Sequence, residues 1–106
     1  MSYQEITAVD LKKVIDTNPE IILLDVRTVG EYVRSKIASS INLPVDELAD
    51  KVEKLIPDKT STVYVYCLSG SRSVYAVEEM MMLGYKNVFN LTNGLLAWKI
   101  AGFKEE

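Results

Sequence analysis

One cysteine, Cys67, lies in the stretch VYVYCLSGSRSVYAV (63–77), and between Thr60 and Val77 the one charged residue is Arg72. A thiol that ends an apolar run, followed by small residues and an arginine heading a second apolar run, has a chemical reading. A helix start offers unpaired N–H groups and a positive dipole end, which an acid in the first turn usually complements. The segments opening near Thr7, Thr28 and Asp46 carry Asp10, Glu31 and Glu47 early, whereas nothing acidic follows Arg72 until Glu78. A cation at such an end costs a few tenths to about 1 kcal/mol unless an anion lies between. Two anions are candidates: the Cys67 thiolate, and a dianion brought by a substrate. Ser69, Gly70 and Ser71 are small enough for the backbone to curl round either as a nest of N–H donors. A free thiol with a pKa of about 8.5 is only about 3% ionised at neutral pH; a helix start and a cation can bring it to roughly 3.5–7.5, and no base is then needed.

The absences narrow the chemistry further. There is no histidine, which removes a Cys-His hydrolase, a histidine base and a Cys/His zinc site. No metal or cofactor is expected. With a single cysteine there is no internal disulfide or resolving thiol, so covalent chemistry at Cys67 must finish on an external thiol or acceptor. A lone cysteine closing an apolar strand also suits a purely structural core role, but a structural thiol has no use for Ser-Gly-Ser followed by an unpaired arginine. At 106 residues, 48% hydrophobic and 25% charged, the chain suffices for one core, and one domain over residues 1–106 is expected. The net charge of −3 and the lack of any basic run beyond Lys12 and Lys13 argue against nucleic acid as a partner. No apolar stretch has membrane-spanning length, and MSYQEITAVD has acids where a signal peptide needs basic and then apolar residues; a cytoplasmic protein is expected.

The elements that must position Cys67 are legible as an alternation. EIILLDV (20–26), INLP (41–44), STVYVYC (61–67) and NVFNL (87–91) read as strands. TAVDLKKVIDT and TVGEYVRSK open with Thr7/Asp10 and Thr28/Glu31 in capping-box spacing and read as helix starts. VDELADKVEKLI (45–56) spaces Leu48, Val52 and Leu55 helically. SVYAVEEMMMLGY sets Val74, Val77 and Met81 on one side with Gly84 as a cap, and NGLLAWKIAG closes with a short helix. Met81 and Trp98 are assigned to the core. Such alternation predicts an α/β fold: a three-layer, open parallel sheet of about five strands with helices on both faces. The loops Asp25–Thr28 and Cys67–Arg72 both follow strands and should share the edge where open sheets bind ligands.

CLSGSR resembles the active-site loop of rhodanese-like sulfurtransferases, and the resemblance continues through LLDVRTVGEY, SKIASSINLP and NLTNGLLAWKIAGF, roughly Gln4 to Phe103. It implies that Cys67 is a nucleophile carrying a persulfide sulfur from a small anionic donor such as thiosulfate to cyanide or a thiol. Leu68, Ser69, Gly70 and Ser71 would supply amides and Arg72 would hold the donor's anionic end. Asp25, Arg27 and Glu31 match the family's Asp-x-Arg and Glu-Tyr positions. Arg27 and Glu31 are spaced to pair across a helical turn, and Arg27 is a second candidate for anion contact. The chain departs from the family pattern at Ser35-Lys36, where many members have Gly-His, and at Asn93-Gly94, where two glycines are usual.

Three functions compete: a sulfurtransferase, a sulfur-carrier or protein-binding module that hands the persulfide sulfur to a partner protein, and a cysteine phosphatase. The last needs five residues between cysteine and arginine so that the loop wraps a tetrahedral phosphate; here there are four.

Overall fold

Five parallel strands form one sheet in the order β1-β5-β4-β2-β3 in the computed structural model, which describes residues 3–106. They are β1 (Gln4–Ile6), β2 (Ile22–Asp25), β3 (Ile41–Asn42), β4 (Thr62–Tyr66) and β5 (Asn87–Leu91). Between and after them run α1 (Ala8–Thr17), α2 (Val29–Arg34), α3 (Leu48–Leu55), α4 (Ser71–Met82) and α5 (Gly94–Ile100). The expected α/β, three-layer class is the one observed. β1 is the strand that the apolar pattern did not announce: it is three residues long, two of them polar, and it lies at the sheet edge against β5. β3 stops at Asn42, ahead of Pro44, and a 3₁₀ turn at Val45–Glu47 precedes α3 where one continuous helix was expected.

Side-chain alternation along the strands divides the core. Leu24, Val63, Val65 and Val88 face α3 and α4, meeting Leu48, Val52, Ile56, Ala76, Val77 and Met80. Leu23, Tyr64, Tyr66 and Leu91 face α1 and α5, meeting Leu11, Leu95 and Trp98. Each of these fully buried aliphatic side chains contributes about 1.5–3 kcal/mol from lost water contact, so the two layers lock the sheet between them. Trp98 takes its expected core place, 3% exposed, with its indole N–H donating to the Lys104 carbonyl. Two core assignments shift by one residue. Ile56, not Leu55, is buried after Val52, and Met80, not Met81, is the fully covered methionine, with Met81 at the margin of the core and Met82 exposed. No helix among the described residues is long and apolar enough to cross a membrane.

Strand order fixes the functional edge. From β2 the chain moves outward to β3, then returns to β4 on the other side of β2. The loops leaving the carboxyl ends of β2 and β4 therefore flank the point where the winding direction reverses, the usual ligand crevice of an open α/β sheet.

Candidate active site

Cys67 directly follows β4 with its side chain buried, and its sulfur is the focus of the turn it opens. The Gly70 amide donates to Sγ at 3.1 Å and the Ser73 amide at 3.4 Å, while the Ser73 hydroxyl lies 3.4 Å away. This loop geometry needs Gly70 at φ 110°, a left-handed conformation at the N-cap of α4 that side chains resist. The same hydroxyl lies 3.2 Å from the Gly70 carbonyl. Its single proton can therefore serve the carbonyl while the sulfur is a thiol and turn to the sulfur when it is a thiolate. Burial opposes ionisation of Cys67, but the Ser73 hydroxyl and the Ser73, Gly70 and Ser69 amides outweigh it, so the thiol titrates below its ordinary value. An inert core thiol has no such set of donors aimed at it.

Of the amides expected to face the sulfur, Gly70 and Ser69 do. The Leu68 and Ser71 amides make no hydrogen bond to Sγ; the Leu68 carbonyl is taken up by α5, and Ser71 is the exposed first residue of α4. Ser73, which the sequence reading missed, is the strongest addition. Its signal was available: a small hydroxyl residue in the first turn of a helix that lacks a side-chain cap.

A second helix start supports the loop from below. The Leu95 amide donates to the Cys67 carbonyl at 2.9 Å and the Leu96 amide to the Leu68 carbonyl at 3.0 Å. α5 also has no acid in its first turn, because these carbonyls take the place of one. Asn93 and Gly94 are consecutive left-handed residues, φ 59° and 56°. A Cβ on Gly94 would lie 2.4 Å from the Cys67 carbonyl oxygen and 2.7 Å from that of Leu68. That difference explains the Asn-Gly pair: asparagine tolerates the left-handed region, so the first position admits it, and the second admits glycine alone.

Two ion pairs border the loop, and both differ from the expected arrangement. Arg72 is not unpaired. Its Nη1 and Nη2 donate to Glu31 Oε1 and Oε2 at 2.7 and 3.1 Å, bringing the β2–α2 and β4–α4 segments together as the shared edge requires. Glu31 also completes the predicted capping box, accepting from the Thr28 amide at 3.1 Å while Thr28 Oγ1 caps the Glu31 amide. The Arg72 guanidinium foremost, with the Thr28 amide and hydroxyl, lowers the Glu31 carboxyl to about 2 against its burial. Arg27 does not pair with Glu31 across the helical turn. It is 3% exposed, with Nε and Nη2 donating to Asp25 and Nη2 also to the Ser35 carbonyl. Burial works against its charge, and Asp25 overcomes this and raises its pKa. With its fork committed in this way, Arg27 braces the β2–α2 turn and offers no free fork to a ligand. The described residues contain no cluster of His, Cys, Asp and Glu that could hold a metal ion.

Known proteins resemble this chain over most of its length. Residues 7–101 match the family model described as Rhodanese-like domain. The chain is 31% identical over 94 residues to a sulfurtransferase of Allochromatium vinosum, covering 89% of this chain and 86% of that protein. It is 30% identical over 97 residues to YrkF of Bacillus subtilis, a protein named as a sulfur carrier, covering 92% of this chain and 51% of YrkF. Among solved structures, a thiosulfate sulfurtransferase from Pseudomonas aeruginosa superimposes with a TM-score of 0.89 at 30% identity, covering 98% of this chain and 20% of that one. A rhodanese-related protein from Thermoplasma volcanium gives 0.86 at 34% identity over 98% of both chains. The chain thus spans about half of YrkF and a fifth of the Pseudomonas protein. Relatives named for sulfur transfer or sulfur carriage, at about 30% identity, support a sulfur-transfer role.

Proposed function

The chain belongs to the rhodanese-like domain family, and we propose that it moves a sulfane sulfur from thiosulfate or a persulfide donor to a thiophilic acceptor through a persulfide on Cys67. The single observation that carries the proposal is the convergence of the Gly70 and Ser73 donors on the one thiol of the chain. The thiolate attacks the outer sulfur of thiosulfate; a new S–S bond forms, the bond to the sulfonate sulfur breaks, and sulfite leaves with the electron pair. Attack by cyanide or a thiolate on the outer sulfur of the resulting persulfide returns Cys67 as a thiolate. Neither step requires a proton at the leaving group, which suits a chain with no histidine. Because Cys67 is covered in the resting loop, donor entry requires the 69–71 segment to move, and Ser69, Gly70 and Ser71 are small enough for it to do so. To reach Arg72, a sulfonate donor would have to share the guanidinium with Glu31.

YrkF, named for sulfur carriage, supports a second reading in which the persulfide sulfur passes to a protein acceptor and no small-molecule turnover occurs. Intact mass after incubation with thiosulfate, and separately with a persulfide, tests the shared step. The wild type should gain one sulfur atom and Cys67→Ala none. Multiple turnovers on added cyanide or thiol identify the catalyst, a single discharge the carrier. No gain from either donor would overturn both.

A further inference from the structure

Arg72 is the cation on which a small dianionic donor would depend, yet both of its terminal nitrogens are engaged by the two oxygens of Glu31. That carboxylate is not a loose surface group. It is the N3 residue of the α2 capping box and accepts from both the amide and the hydroxyl of Thr28, so displacing it would also uncap a helix. The other cation of the edge, Arg27, is closed on Asp25. Asp25, Arg27, Glu31 and Arg72 therefore form two complete ion pairs with no net charge. The donors inside the loop face Sγ, where they hold the thiolate. A sulfonate attached directly to the transferred sulfur would meet the Glu31 carboxylate as a like charge competing for one fork. An organic persulfide presents a thiolate leaving group on carbon at that place and asks for no fork. The helices that flank the loop each carry an exposed apolar side chain: Tyr75, one turn along α4 from Arg72, and Leu96 of α5, whose amide holds the Leu68 carbonyl.

We propose that Glu31 is a specificity-determining residue which, by occupying the Arg72 fork, selects organic persulfides over thiosulfate as the sulfur donor. This rests on the sulfur-transfer reading above and refines it. In the favoured step the Cys67 thiolate attacks the outer sulfur of R–S–SH, the donor's S–S bond breaks, and R–S⁻ departs with the electron pair, leaving Cys67–S–SH.

Glu31→Gln is a clean probe, because glutamine at N3 can still accept from the Thr28 amide and keep the capping box while the charge is lost. The experiment compares kcat/KM for thiosulfate and for cysteine persulfide at fixed ionic strength in the wild type, Glu31→Gln and Glu31→Asp. A second measurement takes the sulfite concentration that protects Cys67 from iodoacetamide. Glu31→Gln should raise the thiosulfate-to-persulfide ratio about tenfold, mainly through a lower KM for thiosulfate, and sulfite should protect it at an about tenfold lower concentration. Glu31→Asp, which keeps the charge, should stay within about twofold of the wild-type ratio. An unchanged or reversed ratio in Glu31→Gln, with sulfur still transferred from both donors, overturns the selectivity alone. Failure of the wild type to take sulfur from either donor overturns the sulfur-transfer reading and the selectivity with it.

Discussion

Glu31 and Arg72, 41 positions apart, meet through two hydrogen bonds that join the helix after β2 to the helix after β4. The pair makes a prediction about acid. Glu31 titrates at about 2 in the fold and near 4.5 without its partners, so the unfolded chain takes up the proton first. Its contribution is complete above about pH 4.5 and is lost as the pH falls towards 2. Arg72 is 35% exposed, so screening limits the pair to about 1 kcal/mol at neutral pH. Unfolding free energies from urea titrations of the wild type and Glu31→Gln should differ by that amount at pH 7 and converge as the pH approaches 2. A gap that stays constant through the acid range would show that the charge pair is not its source.

Ser73→Ala removes the hydroxyl beside the sulfur and leaves the amides in place. The iodoacetamide rate plotted against pH should move its inflection upward, since one donor favouring the thiolate is gone while burial remains. Sulfur-transfer efficiency at neutral pH should fall about tenfold, equivalent to about 1.4 kcal/mol of transition-state stabilisation. An unmoved inflection would mean that the amides alone set the acidity of Cys67.

Two glycine-to-alanine substitutions should have opposite signs. Gly94→Ala drives a methyl into the Cys67 and Leu68 carbonyls and forces alanine into the left-handed region; it should cost about 2 kcal/mol or more and depress sulfur transfer. Gly30→Ala, in the helical α2 with nothing within 4 Å of the new methyl, should stabilise the fold by about 0.5–1 kcal/mol. Thermal melts monitored at Trp98, the sole tryptophan, measure both. A harmless Gly94→Ala would show that α5 does not brace the loop.

Asp25→Ala leaves the buried Arg27 guanidinium facing the Ser35 carbonyl without its counterion. Loss of one partner from a buried pair costs about 3–5 kcal/mol, and urea unfolding should register it at neutral pH. A loss below about 1 kcal/mol would show that water reaches Arg27 and that the brace is dispensable.

What the sequence disclosed follows the range of each interaction. Thr28 and Glu31 lie one turn apart, and their capping box was readable because it depends on local spacing. Cys67, Gly70 and the missing acid ahead of Glu78 were likewise readable, since they share one turn. Which acid answers which arginine was not: the i,i+4 spacing favoured Arg27 with Glu31, but Arg27 is drawn under the β2 end by Asp25, leaving Glu31 for a helix brought alongside by the sheet. Ser73 escaped notice because its role depends on Gly70 turning left-handed, which sends the sulfur back over the helix start. β1 escaped because three residues with two polar members carry no apolar alternation; pairing with β5 alone makes them a strand.

The bonds from Leu95 and Leu96 to the carbonyls of Cys67 and Leu68 have a consequence for synthesis. A ribosome that has released residues up to 90 has delivered the cysteine, its turn and the helix behind it, but not the support on which that turn rests. Only when α5 emerges are both carbonyls taken up and the backbone beneath the sulfur fixed. The nascent thiol therefore stays closer to an ordinary, sluggish one until then, and its heightened reactivity arrives with α5.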